Sequence, residues 1–231
     1  MIEVDRLMIE KYGIELIQMM ENAGRALALV AKQVFLKNDL KNKKIAVLAG
    51  TGGNGGGALV AARRLSSWGG EVQVFLTKKE LKAAPAHQLK IIRNMEIPVF
   101  QANQLAKLKE PFDLIIDGII GYSLKGNPRE NAAMLIAWAN KQKAPTLALD
   151  TPSGIDLTTG EIYNPVIEAD ATLTLALPKK GLYDPAVKKL RGDLYLADIS
   201  VPPQLYEDPS LDIEVEPVFA ENELLLIDQK H

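Results

Sequence analysis

Cysteine is absent from the 231 residues, and histidine occurs only at His87 and His231. The first absence removes disulfides, thiolate metal sites and cysteine nucleophiles together, and it suits a reducing, cytoplasmic address. The second leaves too few imidazoles for a multi-histidine zinc centre. A surplus of one charge sign is missing as well, since 27 basic residues face 29 acidic ones. Nucleic-acid and anionic-membrane binders need a basic excess, so neither partner is expected. No apolar run approaches the roughly 20 residues of a membrane-spanning helix. The opening Met1-Ile2-Glu3-Val4-Asp5 is too acidic for a secretory signal, which starts basic.

What the chain does have is the composition of a soluble globular protein, 47% hydrophobic and 24% charged, long enough to bury a large core without staples. Apolar, β-branched runs alternate with helical patterns, which predicts an α/β fold: three αβα layers, Rossmann-like, around a mostly parallel sheet. Residues 13–36 carry a helical stripe of Leu16, Met19, Met20, Ala23, Leu27 and Val30. The first strand spans residues 44–49 and runs through glycines into a helix over residues 54–68. Further strands are expected at residues 71–76, 97–100, 112–120, 144–150, 169–177 and 193–201. Most are continuous Val/Ile/Leu runs, as in strands covered on both faces. One domain is expected over residues 1–205. Residues 206–231, rich in Asp and Glu and interrupted by proline, read as an acidic surface extension.

Three strand-end loops carry the residue types of a site. In the first, Gly50, Gly52 and Gly55 satisfy G-x-G-x-x-G between a strand and a helix, a combination that cradles anions on unpaired N–H groups and a positive dipole end. The usual ribose-binding acid is missing, and Thr77, Lys78 and Lys79 stand in that area. The second, Asp117 to Leu124, places a carboxylate at the sheet edge where open α/β folds bind ligands. The third, Asp150-Thr151-Pro152-Ser153-Gly154, holds Asp150 in a stiff turn, suited to acid–base work. Asn54, Asp117 and Ser153 all offer oxygen, the ligand type that hard cations select. Lys179 and Lys180, between Pro178 and Gly181, are candidate phosphate contacts. A serine hydrolase is not expected, because G-x-S-x-G is not met and His87 lies far from any strand end.

Taken in order, Met20-Glu21-Asn22-Ala23-Gly24, the glycine loop with Leu59-Val60-Ala61-Ala62-Arg63, Asp117–Gly121, Asp150–Gly154, Leu177–Leu182 and Asp198–Pro202 resemble the YjeF N-terminal domain family. The resemblance implies NAD(P)HX epimerase activity, interconverting the R and S forms of hydrated NADH and NADPH (NADHX and NADPHX) in nicotinamide repair. It implies a potassium ion (K+) on Asn54, Asp117 and Ser153. It also implies a dinucleotide wrapped by Gly53, Asn54, Gly55, Gly56 and Gly57 and by Gly121, Tyr122, Ser123, Leu124, Lys125, Gly126 and Asn127, with Asp150 on the modified ring as acid–base group. A homodimer and a separate dehydratase are the implied partners. The family's Asn-Asn-Gly-Gly-Asp-Gly reads here as Gly53-Asn54-Gly55-Gly56-Gly57-Ala58, so Gly57 replaces an aspartate. That leaves open a second reading, a catalytically impaired domain that binds nucleotides or serves as a protein scaffold.

Overall fold

The computed structural model describes residues 2–107 and 111–229; His231 lies outside the described residues. The strand β1 (Lys44–Ala49) is the pivot of the sheet. Its Ile45, Val47 and Ala49 pack on one face with α2 (Leu16–Val30), α3 (Gly53–Ser67) and α4 (Ala83–Asn94), while Ala46 and Leu48 face α5 (Glu130–Ala139) on the other. Successive side chains of a strand point to opposite faces, so an unbroken apolar run needs cover on both, and three layers result.

With β2 (Glu71–Leu76), β3 (Val99–Gln101), β4 (Leu114–Gly118), β5 (Thr146–Leu149), β6 (Ala171–Leu175), β7 (Asp193–Ala197) and β8 (Leu224–Asp228), the sheet runs β3-β2-β1-β4-β5-β6-β7-β8. All pairs are parallel except β7–β8. The order reverses between β1 and β4, where Ala49 sits beside Gly118. A switch of this kind opens a crevice at the carboxyl ends of the strands. The remaining helices are α1 (Ile2–Glu10), α6 (Pro185–Arg191) and α7 (Pro203–Tyr206). No helix of the described residues is long and apolar enough to cross a membrane.

Helix α2 begins at a capping box in which the Gln18 side chain accepts from the Glu15 N–H at 2.7 Å. It runs on through a π-helical turn, Ala31–Phe35. Its Glu21 accepts from Arg63 at 2.6 and 2.7 Å, from Arg64 at 3.1 Å and from Gln88 at 3.2 Å. The Met-Glu-Asn and Ala-Ala-Arg motifs are therefore two halves of one helix–helix contact. Trp138 packs in an aromatic cluster with Phe75 and Phe112.

The expected strands form: β1 and β2 have the expected bounds, β4, β5 and β6 are shorter at both ends, β7 ends earlier and β3 starts and ends later, while β8 was not expected. Its Leu224-Leu225-Leu226-Ile227 lies inside the stretch whose acidic composition reads as a surface extension, yet it pairs antiparallel with β7. The tail's acids meet bases on the body, with Lys11–Asp208 at 2.7 Å, Arg25–Glu223, and Lys188–Asp228 at 2.8 Å. Exposed pairs of this kind contribute little each. Arg191 is different: 1% exposed, it donates to the Leu182 and Gly192 carbonyls at 2.7 Å each and to Asp228. Arg191→Met keeps the volume and leaves buried carbonyls unpaired, so it is expected to lower stability by at least about 2 kcal/mol. Hydrogen exchange should show loss of protection concentrated in β8. Protection equal to wild type would contradict this anchor.

Candidate functional site

The three strand-end loops meet at the crevice beside β1 and β4. Gly50 donates to the Gly118 carbonyl at 3.0 Å, and its backbone lies so close to the next turn that a Cβ would sit 1.8 Å from the Ile119 oxygen. No residue but glycine fits there. In the first turn of α3, the Asn54 side-chain amide donates to the Leu149 carbonyl at 2.7 Å. Its carbonyl oxygen is turned to Gly121, where a Cβ would stand 2.3 Å away. Asn54 thus fastens the glycine turn to the end of β5, and its amide lies against Gly121 of the second loop.

Asp117 is fully buried and ties the second loop to the third. Its Oδ1 accepts from the Ile119 N–H at 3.1 Å and from the Ser153 hydroxyl at 2.6 Å, and its Oδ2 accepts from the Ser153 N–H at 2.7 Å. The Ser153 hydroxyl in turn accepts from the Ile120 N–H at 2.9 Å. Burial pushes the Asp117 carboxyl up to about 6, against the opposing pull of the Ser153 and Ile119 donors. The Ser153 hydroxyl thus faces a carboxylate rather than an imidazole, and His87 lies on the exposed side of α4, so no Ser-His-Asp triad forms there.

Asp150 follows β5 with φ at 64°, a left-handed conformation that most side chains avoid and that marks functional sites. The N–H of Asp150 donates to the Leu173 carbonyl at 2.7 Å. Its buried carboxylate receives the Lys179 ammonium at 2.7 Å, and the same ammonium donates to Thr174 Oγ1 at 2.9 Å and to the Leu175 carbonyl at 2.6 Å. All three donors of Lys179 are therefore committed, and a phosphate contact by Lys179 is corrected to a countercharge for Asp150. Lys180 is exposed.

Asp150 opens into a cavity of about 190 Å³ that Asp5, Met19, Met20, Asn54, Lys82 and Tyr122 also line. A pocket that buries a whole drug-sized ligand has roughly 300–1,000 Å³, so this one suits a single ring while the rest of a ligand lies outside. Tyr122 donates to Asp5 Oδ2 at 2.7 Å across the mouth. Burial raises both the Asp5 carboxyl, against the pull of Tyr122, and the Tyr122 phenol. Within the loop that continues from Tyr122, Ser123 and Lys125 are exposed, Leu124 is buried, and Asn127 accepts from the Asn164 N–H at 3.0 Å. A Cβ at Gly57 would meet Leu149 Cδ2 at 2.8 Å and Ala23 Cβ at 3.9 Å, and both residues belong to the cavity wall. A larger hollow of about 350 Å³ lies under the C-terminal segment, against Leu177, Val201, Tyr206 and Phe219. None of the strand-end loop residues lines it.

The cavity therefore combines a carboxylate with a fixed ammonium, a second carboxylate joined to a phenol, and the N-terminus of α3, which favours anions. Sequence reasoning found Asn54, Asp117, Asp150 and Ser153, which the fold brings to one rim. It missed Asp5 and the partnership of Lys179 with Asp150. The signal for α1 was present in Val4, Leu7 and Met8, an apolar set at helical spacing that is buried.

A sequence model of the family described as YjeF-related protein N-terminus matches residues 16–181. The chain is 38% identical over 209 residues to the NAD(P)H-hydrate epimerase of Dehalogenimonas lykanthroporepellens, covering 88% of this chain and 81% of that one. An NAD(P)H-hydrate epimerase of Entamoeba histolytica is 32% identical across 97% of this chain and 95% of its own. The bifunctional NAD(P)H-hydrate repair enzyme of Salinibacter ruber is 33% identical, but only 39% of its length is matched. Among solved structures, yeast YNL200c superposes with a TM-score of 0.82 at 27% identity, covering 98% of this chain and 96% of that one.

The raised Asp117 carboxyl makes stability fall as pH rises. Between the ordinary value of 3.8 and about 6 the unfolded chain releases its proton first, so folding weakens through that window and levels off above it. The full effect is about 3 kcal/mol. Asp117→Asn does not titrate, so the stability of wild type minus that of the variant should drop by up to that amount from about pH 4 to pH 7 in a buffer free of alkali cations. A difference that stays flat with pH would contradict the burial of this charge.

Proposed function

The chain belongs to the YjeF-related N-terminus family, and on that premise we propose that it interconverts the R and S epimers of hydrated NADH and NADPH in nicotinamide repair. Relatives that carry the name NAD(P)H-hydrate epimerase match over 81% to 95% of their own length. The observation that carries the reading is Asp150: buried, strained at φ 64°, and fixed by Lys179 at the mouth of a ring-sized cavity beside the start of α3.

The epimer interconverts when its hydroxyl-bearing carbon, bonded to the ring nitrogen, loses and regains configuration. Asp150 accepts or returns the proton of the oxygen on that carbon, and Lys179 holds its carboxylate in place and offsets its charge. The phosphates lie over the N–H groups of residues 53–57 with Lys82 beside them, and residues 121–127 cover the remainder of the dinucleotide. The donors of Asn54, Asp117 and Ser153 are all oxygens. The Asn54 amide nitrogen is committed to Leu149, so its carbonyl oxygen is the atom left for a cation. These three residues would hold a potassium ion, which supplies positive charge against the buried Asp117. A second copy of the chain and a separate dehydratase are the partners in this reading, and the cysteine-free composition fits a cytoplasmic setting.

Gly57 removes a carboxylate from the glycine loop but leaves Asp150, Asp5 and the α3 N-terminus in one cavity, with Lys179 paired to Asp150, so the impaired-domain reading is not favoured. Purified protein should interconvert R- and S-NADPHX faster than the uncatalysed reaction, followed by chromatographic separation of the epimers, and faster in potassium than in sodium buffer. Asp150→Asn should lower that rate by about 10²- to 10⁴-fold. Gly57→Asp should change turnover by less than about tenfold, well short of the roughly 10²- to 10⁴-fold that one positioned acid–base group supplies. A wild-type rate equal to the uncatalysed one would end the epimerase reading, and a far larger gain from Gly57→Asp would favour the impaired domain.

A further inference from the structure

An epimerisation that passes through a planar carbon needs proton transfer on both faces of the ring, and one carboxylate serves one face at a time. The cavity holds one other carboxylate, Asp5, which comes from α1 rather than from the sheet edge. Asp5 is half-buried and accepts a hydrogen bond from Tyr122 at 2.7 Å. We propose that Asp5 is a second catalytic residue of this pocket, the acid–base partner of Asp150 on the opposite face of the hydrated ring. The proposal rests on the epimerase reading given above.

In one direction, Asp5 gives its proton to the ring hydroxyl. The carbon–oxygen bond breaks, the nitrogen lone pair forms a carbon–nitrogen double bond, and water leaves. A water then adds to the other face, the electron pair returns to nitrogen, and the surplus proton passes to Asp150. The reverse direction exchanges the two roles, and no oxidant or reductant is involved. Burial favours the proton-bearing form of Asp5, and the Lys179 ammonium holds the Asp150 carboxylate at 2.7 Å. Among the described residues, Tyr122, Asp150 and Lys179 act electrostatically on Asp5 and Lys82 lines the same cavity, from four different segments of the chain. Tyr122 fixes the Asp5 carboxyl group through its hydrogen bond across the cavity mouth.

Asp5→Asn keeps the acceptor for Tyr122 and removes the proton. It is expected to lower kcat at least about 100-fold with KM changed less than about threefold, and to delete one limb of the pH profile of kcat. Formate added to Asp5→Ala should restore activity in proportion to its concentration, which a structural role would not produce. Tyr122→Phe leaves α1 untouched and should move the Asp5 limb to higher pH, because the hydrogen bond that favours the carboxylate is lost. The proposal is overturned if Asp5→Asn keeps kcat within about threefold with the wild-type pH profile. It is overturned equally if Asp5→Ala, still stabilised thermally by NADP, shows no formate rescue. A wild-type rate no higher than the uncatalysed one removes the epimerase reading itself, and is told apart by needing no variant.

Discussion

One buried carboxylate organises the functional edge of this protein. Asp117 sits on the central strand pair at the point where strand order reverses, fully shielded from water, and it has no cationic partner among the described residues. Three donors from two loops converge on it. A buried charge without such donors is costly, so each alternative arrangement of the Ile119 or Ser153 turns is penalised by the carboxylate it would leave exposed to apolar surroundings. The turns are held in one geometry as a result, and Asn54 extends the fastening to the glycine loop through the Leu149 carbonyl. Asp150 inherits its position from this knot, three residues before Ser153.

The two carboxylates at the rim have different environments and therefore different chemistry. Asp117 is surrounded by hydrogen-bond donors and remains inside the fold. Asp150 has an ammonium at 2.7 Å and faces a cavity. A buried ion pair contributes little to net stability once the desolvation of both groups is counted, and the left-handed backbone of Asp150 adds strain. Elements that cost stability in this way persist where they serve a function, which agrees with a site for proton transfer. The apolar side of the same cavity, formed by Met19, Met20, Leu149 and Ile199, excludes water from one face of a bound ring and strengthens the interactions at the other.

Much of this was legible in the residues alone. The strand–glycine–helix pattern at residues 44–68, the carboxylates at the ends of continuous apolar runs, and their convergence follow from the periodicity of strands and the topology of parallel sheets. Lys179 was not legible as a partner of Asp150, since 29 residues separate them and a lysine between proline and glycine reads equally well as a phosphate contact. Asp5 was hidden because the apolar Val4, Leu7 and Met8 of α1 announce a packed helix but not which pocket its carboxylate enters. The strand β8 was hidden by composition: four apolar residues stand among acids, and only the free edge of β7 and the buried Arg191 give them a place. In each case the missing information is a long-range contact, which local sequence does not encode.

The most direct test of the account is a crystal structure of the protein with NADP bound. The account predicts the nicotinamide ring inside the smaller cavity between Asp150 and Asp5, with phosphate oxygens against the N–H groups at the start of α3. A ring seated in the larger apolar hollow beneath the C-terminal segment, with Asp150 still closed on Lys179 alone, would contradict it.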